Sequence, residues 1–181
     1  MTLKNKNIEE YAICQMPDIK LSCYGCCGRN YTDKKDIIKD IQDNTKDFKK
    51  LILHTKFNLY NFRERFSRDS WKVKKSGICS NLVKFRNGLY ACPLHISINK
   101  IIPKSEFRFL SKKDLRWGHC DVNFKCITVE IFKKLNNNQK QQYIKWIKNL
   151  KIDSHNYSIN NIQGKLIKQF LQKNNNDNFT N

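Results

Sequence analysis

The stretch Ile78-Cys-Ser-Asn-Leu-Val-Lys-Phe-Arg-Asn-Gly-Leu-Tyr-Ala-Cys92 carries the strongest local signal in this chain. Asn87-Gly88 supplies the two residues of a type I′ turn, and residues of high β propensity flank it on both sides, which predicts a hairpin. If that two-residue turn sets the register, Arg86 faces Leu89 and Val83 faces Cys92. Cys79 and Cys92 then share one face of the ribbon, four residues apart and roughly 13 Å at the usual strand rise. Such a ribbon must bend, or stop short of Cys79, before both sulfurs reach one ion.

Upstream, Leu21-Ser-Cys-Tyr-Gly-Cys-Cys-Gly-Arg-Asn30 is short, glycine-bearing and thiol-rich, which suits a loop. A helix is expected after it, capped by Asp33 and running to about His54, with Ile37, Ile38, Ile41, Phe48, Leu51 and Ile52 on one side. Phe57 to Phe66 reads as a second helix or an aromatic packed loop. Residues 96–113, where only Phe107, Phe109 and Leu110 form a pattern, read as loop with a short helix. From Asp121, a residue suited to an N-cap, a helix is expected to Leu135. Asn136-Asn-Asn138 breaks it; Tyr143, Ile144, Ile147 and Leu150 mark another helix, and Ile162, Leu166, Ile167, Phe170 and Leu171 a last one. The fold class expected is α+β, mostly helical, with one short hairpin and a cysteine-lined metal-binding face. The length of 181 residues argues for a single domain over 1–172, followed by a polar tail over 173–181 without order.

Eight cysteines need a compartment before they have a meaning. No run of 18 apolar residues appears and the N-terminal stretch lacks a signal-peptide core, so the expectation is a cytoplasmic protein, neither exported nor membrane-bound. There thiols stay reduced, and clustered cysteines point to metal or catalysis more than to disulfides. The formal charge of +19 invites a nucleic-acid partner. It arises from 28 Lys against 7 Arg, beside 22 Asn. That mixture is expected from A/T-rich coding, whereas nucleic-acid readers rely on Arg for bidentate contacts.

Seven cysteines fall into three groups: Cys23, Cys26 and Cys27; Cys79 and Cys92; Cys120 and Cys126. Cys23-Tyr-Gly-Cys26 has the Cys-x2-Cys spacing that brings two thiolates of one turn to the same ion, and Cys92-Pro-Leu-His95 is its Cys-x2-His counterpart, so together they compose a Cys3His zinc site. Cys120, placed just before the helix expected from Asp121, is expected to be a stabilised thiolate, a ligand or a nucleophile. Cys126 is either a ligand reached from the buried side or part of the core. The candidate metal ligands are therefore Cys23, Cys26, Cys27, Cys79, Cys92, His95, Cys120 and Cys126. Cys14 reads as a small core residue, His54 and His155 as surface or capping residues. His119 is read as activating Cys120, ligating, or capping.

The order Cys-x2-Cys-Cys, then Cys79-Ser-Asn-Leu and, past a turn, Cys92-Pro-Leu, resembles the YkgJ-type zinc- or iron-chelating cysteine-cluster proteins over residues 23–95. The resemblance implies metal chelation by Cys23, Cys26, Cys27, Cys79 and Cys92. It does not extend to the Leu115-Arg-Trp-Gly-His-Cys-Asp121 block, and Pro-Leu-His replaces the family's continuation after Cys92. The function expected is binding of zinc or an iron–sulfur cluster through clustered cysteines. The alternatives are a redox or transfer enzyme using an iron–sulfur centre or an activated Cys120, and a nucleic-acid-binding module with a structural zinc site.

Overall fold

Asp33 opens the first helix as its position predicts: its carboxylate accepts the backbone N–H groups of Lys35 (2.7 Å) and Asp36 (3.0 Å). Helix α1 spans Lys34–Ile52 and buries Ile37, Ile41, Asn44, Thr45 and Phe48. These positions come from a computed structural model, which describes residues 10–52, 59–65, 73–100, 102 and 113–177. His54, Phe57, Phe107, Phe109 and Leu110 lie outside the described residues. The fold class is α+β and mostly helical, with six α-helices and two short antiparallel hairpins among the described residues. No described helix is long and apolar enough to cross a membrane.

Where length argues for one domain, the chain divides into two compact units: a central one, Cys26–Phe124, and a terminal one built from Met1–Gly25 and Lys125–Asn181. In the central unit α1 packs on β3 (Val83–Lys84), which pairs with β4 (Tyr90–Ala91). Helix α2 spans Leu59–Glu64 and sends Phe62 inward, where its ring meets Phe48 edge-on at 4.9 Å. Val83, Phe85, Leu94, Ile98 and Leu115 complete this core.

The hairpin exists, but its register differs from the expected one. Only Gly88 takes the left-handed conformation (φ 89°), not Asn87. Gly88 donates to the Phe85 carbonyl (3.0 Å) and Phe85 to the Leu89 carbonyl (2.9 Å), so the loop holds three residues, not two. Asn87 uses its side chain instead, accepting the Leu89 N–H at 3.1 Å. This is a type I turn closed by a glycine bulge, and the extra residue moves the pairing to Val83 with Ala91 and Lys84 with Tyr90. The ladder stops before either Cys79 or Cys92.

In the terminal unit, β1 (Gln15–Met16) and β2 (Leu21–Ser22) form a second hairpin, with Gln15 opposite Ser22. Helix α3 spans Ile127–Lys134, with Cys126 as its N-cap. It does not begin at Asp121, whose carboxylate accepts the Asn123 N–H (2.9 Å) in a local turn, as short acids do as readily as they cap. A reciprocal capping box of Asn136 and Gln139 opens α4, Asn137–Asn149. Helix α5, Ser154–Ile162, was not expected from the sequence, and His155 lies in its first turn. That helix packs through polar atoms: Ser154 Oγ accepts the Ser22 N–H (3.0 Å) and Ser158 Oγ the Tyr24 N–H (2.9 Å). Helix α6 runs from Lys165 to Asp177, past the point where the tail was expected to begin. Met16, Phe132, Tyr143, Tyr157, Ile167 and Phe170 are central to this unit's core.

Gly164 separates α5 from α6 at φ 68°, and a Cβ there would collide with the Ile127 side chain. Gly164→Ala is therefore expected to cost about 1–3 kcal/mol, read as a lower melting temperature in thermal denaturation; an unchanged melt would contradict the packing described.

Candidate metal centre

Five cysteines belong to the central unit: Cys26, Cys27, Cys79, Cys92 and Cys120. Backbone hydrogen bonds lace their segments together. Cys79 donates its N–H to the Cys27 carbonyl (2.7 Å), and the bond from Arg29 to Gly77 (2.8 Å) and that from Thr32 to Ser76 (3.0 Å) extend the contact. Gly77 permits it with φ 85°, since a Cβ there would collide with the Arg29 carbonyl. The hairpin connects this pair of segments to Cys92. Past it, Leu115 donates to the Leu94 carbonyl (3.0 Å), which draws the chain toward Cys120, itself bonded through its N–H to the Arg116 carbonyl (3.2 Å).

Helix α1 supports the same loops from beneath. Buried Asn44 donates its amide to the carbonyls of Cys79 and Leu82, both at 3.1 Å. Thr45 Oγ1 accepts the Lys84 N–H at 2.9 Å. Asn81 directs its backbone N–H at the Cys79 sulfur (3.4 Å), a donor that favours the thiolate.

The thiols act on one another electrostatically. A hydrogen bond from Cys27 is the main cause that brings Cys26 down to about 7, with the Arg116 charge assisting. The same bond, then burial and the charges of Cys26, Cys79 and Cys92, push Cys27 far up. Burial is the largest cause raising Cys79 and Cys92; Cys79 adds to the rise of Cys92, and Cys120 does so less. Cys120 is raised as well, by burial first, although Arg116 opposes the shift. The expectation that a helix N-terminus stabilises its thiolate fails because α3 begins only at Ile127, with Cys126 as its N-cap.

Two arginines flank the thiols, and sequence reasoning did not assign either to the site. Arg116 grips Asp114 through two of its nitrogens (2.7 and 2.9 Å) while its charge reaches Cys26, Cys92 and Cys120. Arg65 lies 3.7 Å over the Phe62 ring and donates to Asn81 Oδ1 (2.8 Å) and to the carbonyls of Phe62 and Ser80. Burial lowers it to about 10, while the charges of Asp47, Cys79 and Cys92 hold it up. Their available signal was rarity: seven Arg in a chain of 28 Lys. Arg63 pairs with Glu64 at 2.6 Å.

His95 is tied down at Nδ1 by the Ser97 N–H (3.0 Å) and hydroxyl (2.7 Å), which puts the neutral ring's proton on Nε2. For His95 to ligate, that arrangement must change. His119 pairs through Nε2 with Glu64 Oε1 at 3.1 Å, and His155 meets the Tyr24 hydroxyl at 3.1 Å in the terminal unit. Cys23 and Cys126, with Cys14, pack against the terminal unit's core. The Cys-x2-Cys pair is thus divided between the units, Cys23 in one and Cys26 in the other. Among the described residues, no three His, Cys, Asp or Glu side chains stand as a ready-made metal site. No family model, curated protein or solved structure matches this chain.

Asn44→Ala removes two buried donors and strands two carbonyls, which costs about 1–3 kcal/mol. The variant is expected to melt lower and to expose Cys79 to faster alkylation. Asn44→Asp should be worse at neutral pH, because a carboxylate only accepts. Wild-type melting and Cys79 reactivity in both variants would contradict this support.

Proposed function

We propose that this protein binds zinc or an iron–sulfur cluster through Cys26, Cys27, Cys79, Cys92 and Cys120, and that the metal holds the central unit's loops together. The observation that supports the reading is the backbone lacing that joins the four segments carrying these five cysteines. Neighbouring thiols repel one another once ionised, and a cation relieves that repulsion while accepting soft sulfur donors. Five thiols also exceed the four of a tetrahedral zinc site, which keeps the cluster alternative open. The resemblance of residues 23–95 to YkgJ-type proteins points the same way.

A second reading, a redox or transfer enzyme, is favoured by one observation. Cys26 is exposed and drawn down to about 7 by its neighbour Cys27. In that reading Cys26, not Cys120, is the reactive thiol.

Protein purified without air is expected to carry at least one equivalent of zinc, or iron with sulfide and a thiolate-to-iron charge-transfer band in the visible. Cys79→Ser combined with Cys92→Ser should lose that equivalent. Chelation should make 26–124 protease-sensitive, since a structural metal contributes on the order of 10 kcal/mol to folding, while α3–α6 keep their helical circular dichroism. Metal-free protein that cannot be reconstituted, yet resists protease fully, would contradict the proposal.

A further inference from the structure

Composition divides along the same boundary as the structure. All seven arginines lie between Arg29 and Arg116, inside the central unit, whereas 13 of the 28 lysines belong to the terminal one. A/T-rich coding spreads lysine over both units and does not account for that segregation. Within residues 26–124, 22 Lys and Arg stand against 10 Asp and Glu.

Two large aromatic side chains of this unit face solvent: Trp117 is 69% exposed and Tyr60 50%. Two contacts fix the segment carrying Trp117 against α2, one on either side of that residue. Arg63 Nη1 donates to the Leu115 carbonyl (3.4 Å), and His119 Nε2 meets Glu64 Oε1 (3.1 Å). Between them residues 116–119 form a tight turn, closed by the His119 N–H on the Arg116 carbonyl (2.8 Å), with Gly118 at φ 73° in its third position. Trp117 therefore stands at the tip of a turn anchored at both ends. Arg63 also covers the Tyr60 ring, 5.0 Å from its centroid. One guanidinium thus reaches both the Tyr60 ring and the backbone two residues before Trp117, which places the two exposed aromatics on adjoining segments.

We propose that the central unit binds single-stranded nucleic acid, stacking unpaired bases on Trp117 and Tyr60 while its basic surplus draws the phosphates. Every base offers a flat face to an aromatic ring, and in a duplex those faces are already stacked on one another, so the two rings select single strands. Arg63 and Arg116 are held by Glu64 and Asp114, at 2.6 and 2.7 Å. They set the position of the aromatic segment, and the attraction for phosphate comes from the net charge of the unit. A protein partner fits this surface less well, because Arg63, Glu64 and His119 interrupt the rings where a docking site for an apolar face would be continuous. Stacking on these rings requires no metal, so strand binding and metal content can be scored separately on one preparation.

Fluorescence anisotropy of labelled oligothymidine and oligouridine, each about 12 nucleotides long, titrated with the full chain, tests this against a duplex of equal length. At least one of the single strands should bind more tightly than the duplex, quench tryptophan emission, and lose affinity as salt rises. Trp117→Ala is expected to weaken that binding about 10-fold without lowering the melting temperature, since the indole is exposed, and Trp117→Phe to retain most of it. Tyr60→Ala should act in the same direction and Tyr60→Phe should not. Equal affinity of wild type and Trp117→Ala, tighter binding of the duplex, or no binding of either single strand at low salt would overturn the proposal. So would binding to anionic phospholipid vesicles that depends on Trp117 when binding to the oligonucleotides does not.

Discussion

The hydrogen bond from the Cys79 N–H to the Cys27 carbonyl joins two distant segments, and the central unit's arrangement of thiols depends on it. Gly77 allows the backbones to approach, Asn44 holds the Cys79 carbonyl from α1, and the hairpin then delivers Cys92. Regular structure contributes little at this pole: the ladder is two residues long on each strand. These loops bury Ile78, Leu82, Leu89 and Leu94, so their order rests on that packing together with the backbone hydrogen bonds.

Electrostatics sharpen that dependence. Five thiols within reach of one another cannot all ionise without positive charge, and Arg65 and Arg116 provide part of it. Each arginine is itself fixed, Arg65 by carbonyls and the Phe62 ring, Arg116 by Asp114. Their planar forks suit such fixed roles better than lysine does. The charge that matters here is therefore local, whatever the origin of the lysine excess.

The sequence reveals those elements whose signals are local and apolar. Helix α1 is legible because Asp33 caps it and Ile37, Ile41 and Phe48 recur on one face. The hairpin is legible in place but not in register, since Asn-Gly suits both a two-residue turn and the three-residue loop with a glycine bulge that forms. Helix α5 is hidden because, apart from Tyr157, its buried face is built of polar residues, among them Ser158 and Asn161, which carry no hydrophobic period. Asp121 looks like a cap and makes a turn, which displaces α3 and removes the dipole from Cys120. Proximity in sequence also misgroups the thiols: Cys23 pairs across its hairpin with Cys14, while Cys26 and Cys27 turn to Cys79. That division depends on long-range pairing, which spacing alone does not encode.

X-ray absorption at the metal edge, on protein holding a single equivalent of its native metal, measures the central claim most directly. The account expects a first shell dominated by sulfur at about 2.3 Å, with most of that signal lost when Cys79 and Cys92 are replaced by serine. A first shell of oxygen and nitrogen alone, unchanged by those substitutions, would contradict it.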